Sequence, residues 1–176
     1  MTAPAGSISL AQEYLRTSLA DVTAFRTWCG AADQAAALAR IHHEGLPAPR
    51  DKHAHTIEEL RDYRPYAIVF TAEQNGFRLD VVDGDLDYTA AGGLILRLFQ
   101  DAAEVFDDEP SAEANLTFRN AVGEIIDGLG DLAGQAGYLA FNSLVLEDPL
   151  SWTAKKYVPG YGVVQRAQLR LDWQGI

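Results

Sequence analysis

Hydrophobic and polar residues alternate most regularly near the end of the chain. From Val163 to Trp173, the residues Val163, Ala167, Leu169, Leu171 and Trp173 fall on one side, with Gln165 their only polar member. Val164, Arg166, Gln168, Arg170 and Asp172 fall on the other. Successive side chains on a strand point to opposite faces, so this spacing predicts a long strand with one face on a core and one toward water or a partner. Arg64 to Thr71 is apolar on both faces and reads as a central strand, with Pro65 at its start, where a strand tolerates proline. Asn75-Gly76 is a tight-turn signal, and Phe77 to Val82 follows as a strand closed by Asp83-Gly84-Asp85. Gly92 to Gln100 and Leu139 to Glu147 are further strands, and Ile41 to Leu46 a short one.

A period near 3.6 appears elsewhere. Leu10, Tyr14 and Leu15 predict a helix starting at Ser9. A second helical stretch runs from about Leu19 to Arg40, with Val22, Phe25 and Trp28 on its apolar side. Gly30 interrupts it, and the alanine-rich run from Ala31 makes a short further helix. The strongest helix opens at Pro110 and Ser111, with Asp107, Asp108 and Glu109 at its N-terminus. Phe118, Val122, Ile125, Ile126, Leu129 and Leu132 form one stripe, which is expected to pack on the inner face of the sheet. Gly134 or Gly137 ends it.

Helices, then a group of strands, one amphipathic helix and two last strands predict an α+β fold, a mainly antiparallel sheet packed by that helix. The 176 residues read as a single domain with a flexible start over residues 1–8. Residues 47–62 read as a surface loop with one turn at Thr56 to Leu60, and 148–162 as a long connector.

Composition narrows the function. The net charge of −11 argues against binding that works by neutralising phosphates, yet it suits a wall that DNA passes without sticking. Solubility alone also explains it. No apolar run reaches the ~20 residues that span a bilayer. The first residues carry neither a basic group nor an apolar segment, so they do not read as a signal peptide. A single cysteine, Cys29, permits no internal disulfide and reads as a buried structural thiol.

Candidate chemistry is sparse. No phosphate-cradling, dinucleotide, nucleophile-elbow or zinc-protease motif occurs, so no catalytic site and no cofactor is expected. His42, His43, His53 and His55 lie in one window with Glu44, Asp51, Glu58 and Glu59. This grouping could hold a transition metal, but it matches no structural zinc spacing and has no cysteine partner, so an exposed polar loop is the favoured reading. Asp83, Asp85 and Asp87 lack the ligand series of a calcium loop and read as turn formers. Arg166 and Arg170 share the outer face of the last strand, which is either a solvated face or one that meets acidic groups of a neighbour. The connector carries Trp152, Lys155, Lys156, Tyr157 and Tyr161. These aromatics either fold back on the core or anchor a partner, and the loop's length favours the partner.

The order of elements, together with Phe25-Arg26-Thr27-Trp28, Ala35 to Ile41, Arg64-Pro65-Tyr66-Ala67-Ile68-Val69, Gly92 to Leu98 and Gln165 to Trp173, resembles the tail-terminator and tail-completion proteins of long-tailed bacteriophages. The resemblance runs from about Leu10 to Trp173 and is one of layout and short phrases. The chain is longer than such proteins, and the loop 47–62 and connector 148–162 take the extra residues. The resemblance implies a non-enzymatic virion protein, assembled in the host cytoplasm into a homo-hexameric ring at the head–tail junction. Such a ring caps the tail tube, docks the head-side connector and lets DNA pass unbound, with no membrane involved. Another neck component, such as a head-closure protein, shares this layout. A metal-binding module built on the four histidines and a small-ligand-binding α+β domain are the readings outside that class.

Overall fold

The computed structural model describes residues 7–49, 54–72, 76–82, 85–153 and 162–174. The chain begins with three helices, α1 (Ser7–Asp21), α2 (Thr23–Cys29) and α3 (Gln34–Leu38). The break between the first two helices falls at Val22, three residues after the start expected for the second helical stretch at Leu19. Val22 adopts an extended conformation with φ −65° and ψ 115°, and its side chain is buried. Gly30 ends α2 in the left-handed region at φ 67°, as its position in the pattern predicts. The alanine-rich run shortens to the five residues of α3, capped by Asp33, whose carboxylate accepts from the Ala36 amide at 2.8 Å.

Strand β1 (Ile41–His43) follows, and then α4 (Ile57–Tyr63). Here the loop expectation for 47–62 is corrected. Thr56 and Glu59 form a capping box: the Glu59 amide donates to Thr56 Oγ1 at 3.2 Å, and the Thr56 amide donates to Glu59 Oε2 at 3.0 Å. Two of the helix's otherwise unsatisfied donors are thereby met, which lets a seven-residue helix form between prolines.

Strands β2 (Tyr66–Thr71), β3 (Gly76–Val82) and β4 (Asp85–Asp101) come next. The strand expected at Gly92 starts seven residues earlier, because Asp85 to Ala91 pair with β3. In that register Phe77, Leu79 and Val81 stand opposite Ala90, Tyr88 and Leu86. Gly93 lies inside β4, where a Cβ would stand 2.9 Å from the Ala72 Cβ, so glycine permits the close approach of the two strands.

A small hairpin, β5 (Val105–Phe106) and β6 (Glu109–Pro110), then precedes α5 (Ala112–Leu132). Asp107 and Asp108 therefore form the hairpin's turn rather than the helix N-terminus. Both are left-handed, at φ 50° and 65°, the conformation a two-residue hairpin turn of the right twist requires. Ser111 caps α5 through its Oγ, which accepts from the Ala114 amide at 3.1 Å. The helix stops just before Gly134, at φ 76°.

The chain closes with β7 (Phe141–Thr153) and β8 (Val164–Gln174). Strand β7 runs on into the stretch read as connector. Pro149 has no N–H to give, and it sits between Asp148 and Ser151, where the register of this edge strand shifts.

Among the described residues the main sheet has six strands in the order β1-β2-β4-β8-β7, with β3 pairing on β4. Only β1 and β2 are parallel. The fold is α+β, as the sequence predicts. The inner face of the sheet repeats apolar rows: Val69, Leu96, Leu169 and Leu146 lie across neighbouring strands, as do Leu94, Leu171 and Leu144. Against them pack Leu15 and Leu19 of α1, Phe25 of α2 and the buried stripe Phe118, Val122, Ile125 and Leu129 of α5. Each such side chain contributes about 1.5–3 kcal/mol by leaving water. Among the described residues, no helix is long and apolar enough to cross a membrane.

Candidate functional site

The principal helices pack on one face of the sheet, and the other face is partly open. Cross-strand pairing organises that outer face into rows. Tyr66, Phe99 and Arg166 form one, Ile68, Arg97 and Gln168 a second, and Phe70, Ile95, Arg170 and Val145 a third. Each row sets one arginine beside apolar groups.

The face is internally braced. Arg97 Nε donates to Gln168 Oε1 at 2.5 Å, and its guanidinium lies 4.7 Å from the Phe70 ring centroid. Gln168 Nε2 donates to Glu147 Oε2 at 3.0 Å. Arg170 Nε pairs with Asp172 Oδ1 at 3.2 Å, and Ser143 Oγ donates to the other Asp172 oxygen at 2.9 Å. The Tyr66 and Phe99 rings stack with centroids 4.9 Å apart. Segment α4 covers the β1–β2 end, where His42 meets Tyr63 and Tyr66 edge-on. Toward β7 the face opens, and Val145 is 52% exposed.

Arg166 and Arg170, singled out in the sequence, thus share this face, and Arg97 joins them through strand pairing that no local sequence signal reveals. Trp152 belongs to β7, its backbone opposite Gln165. Lys155, Lys156, Tyr157 and Tyr161 lie outside the described residues.

Gln165, the lone polar residue of an apolar row, is 1% exposed. Its Nε2 donates to Asn115 Oδ1 at 2.9 Å, and its Oε1 accepts from Gln100 Nε2 at 2.9 Å. Gln100 in turn accepts from the Trp28 indole at 2.6 Å. The relay ties α2, β4, β8 and α5 together at one end of the sheet and satisfies every polar side chain along it.

The histidines that crowd one window of sequence separate in space. His42 and His43 are neighbours on a strand and point to opposite faces. His43 Nε2 sits 2.8 Å from Glu13 Oε1, beside Arg16. Burial pushes the Glu13 carboxyl up, but hydrogen bonds from His43 and Arg16 outweigh it and hold it below its usual value. Tyr63 stands between His42 and His55. His53 lies outside the described residues, as do Asp51 and Asp83. Among the described residues, no three His, Cys, Asp or Glu side chains come together in a way that could hold a metal ion. Cys29 is buried, and its thiol is pushed up by burial, the condition of an inert thiol.

A surface cleft of about 380 Å³ lies between Val22 and α5 and is lined by Asp21, Glu124, Asp127 and Asp131. A second, of about 360 Å³, lies where the β5–β6 hairpin meets α5. Neither brings together a nucleophile, a base and an oxyanion donor. No family model matches the chain, and no characterised protein matches it in sequence.

Proposed function

We propose that this chain is a virion structural protein of a long-tailed bacteriophage, a tail terminator that acts as a homo-hexameric ring at the head–tail junction. It caps the tail tube, presents a docking surface to the head-side connector and lets DNA through without gripping it. The observation that carries the reading is the braced outer face of the sheet. Helices cover the opposite side, while Arg97, Arg166, Arg170 and Val145 line a broad face held in fixed geometry, the requirement of a subunit that must meet neighbours without folding cost. The layout shared with tail-terminator proteins supports it, as does the net charge of −11, which keeps a lumen from holding a polyanion.

Mass spectrometry of purified particles tests the proposal. The chain is expected in intact particles at a few copies each, far below the tail-tube protein. Absence from intact particles removes the virion role altogether.

A further inference from the structure

The outer sheet face has a counterpart elsewhere on the same molecule. The β5–β6 hairpin stands out from the end of the sheet with Phe106 74% exposed and Val105 37% exposed. A single exposed apolar side chain is ordinary, but such side chains mark contact sites when they cluster. The cleft of about 360 Å³ beside them is lined by Glu104, Val105, Phe106, Glu109, Pro110, Ser111 and Ala112. Leu116, 57% exposed, follows one turn after Ala112 on the same side of α5. The turn that raises Phe106 is formed by Asp107 and Asp108, both in the left-handed region that such a two-residue hairpin turn uses.

Charge selects the occupant. No basic residue lies between Arg97 and Arg119, and the apolar knob is ringed by Glu104, Asp107, Asp108, Glu109 and Glu113. The outer sheet face carries a slight excess of positive groups among its described side chains, with Arg64, Arg97, Arg166 and Arg170 against Asp101, Glu147 and Asp172. Both patches mix apolar and charged groups, with opposite signs.

We infer that the Phe106 hairpin of one copy docks on the outer sheet face of the next copy, seating Phe106 against Val145 and Ile95 with its acidic rim over Arg166 and Arg170. The two patches are different surfaces of one subunit, so the contact is heterologous, the kind that propagates and closes into rings. This inference rests on the ring reading and names the surfaces such a ring uses.

The test is sedimentation and native mass spectrometry of the full chain at low salt. The wild-type chain is expected to associate in a concentration-dependent way, weakening as salt screens the charges. Phe106→Asp removes the knob, and the pair Arg166→Glu with Arg170→Glu removes the socket. Each is expected to be monomeric, with wild-type circular dichroism. Val145→Asp, at an exposed position, replaces the arginine pair if that variant fails to fold. Mixing a knob variant with a socket variant leaves one intact interface, so a one-to-one heterodimer and nothing larger is expected. A mixture that stays monomeric overturns the inference, as does a wild-type chain that stays monomeric. Variants that assemble like the wild type overturn these surfaces but leave the ring standing, whereas failure of the ring reading itself shows as absence from particles.

Discussion

Two glycines in α5 face different surroundings, and the same substitution has opposite signs at them. Around Gly123 nothing lies within 4 Å of an added Cβ, so Gly123→Ala is expected to stabilise by about 0.5–1 kcal/mol through reduced backbone freedom. At Gly128 the Cβ would stand 2.6 Å from Val22 Cγ1, a stiff β-branched side chain at the α1–α2 break. Overpacking there costs roughly 1–3 kcal/mol, which exceeds the helix gain, so Gly128→Ala is expected to lower the melting temperature. His42 carries the pH dependence at this scale. Burial first, then the positive charges of Arg16 and Arg40, hold its pKa below the ordinary 6.5. The unfolded chain then takes up a proton that the folded form resists, so stability falls as pH drops through 6.5 toward the lower folded value, and is unaffected above it. Thermal melts between neutral pH and pH ~5.5 are expected to fall less steeply for His42→Phe than for the wild type, and equal slopes contradict this. Gln165 declared itself in the sequence, as one polar side chain in an apolar row. Its partners Gln100 and Asn115 lie 65 and 50 residues away, beyond any local pattern. The histidines show the converse, since closeness in sequence put His42 and His43 on opposite faces of a strand.

Elements whose signal is local and long were legible. The α5 stripe, the β8 alternation and the apolar β2 each follow from one periodicity acting over several residues. Short elements depend on single interactions and were missed or misplaced. The signal for α4 was present, since Thr56 and Glu59 stand three apart, but prolines and charges around it mask a helix of seven residues. Thr56→Ala is expected to remove the box and cost about 1 kcal/mol, read as a lower midpoint in denaturant. An unchanged midpoint would mean that packing of Glu59 and Tyr63, not the cap, holds the helix. The β5–β6 hairpin was hidden because two aspartates occupy turn positions where glycine or asparagine would have announced it. Strand β7 outran its expected end because a proline at an edge-strand irregularity does not end the strand.

At the scale of the whole molecule, the α+β class was readable from the order of elements, whereas the surfaces were not. Arginines from β4 and β8 meet only through strand pairing, and acids that look like helix caps instead ring a projecting Phe106. The result is a chain with a braced sheet face and an acidic knob, carrying −11 overall. The proposed setting for those surfaces is the ring between head and tail. Electron microscopy of intact particles carrying a labelled copy of this chain tests that claim most directly. The account predicts label confined to one ring at the head-proximal end of the tail tube. Label along the tube, in the capsid shell or at the distal tip would contradict it.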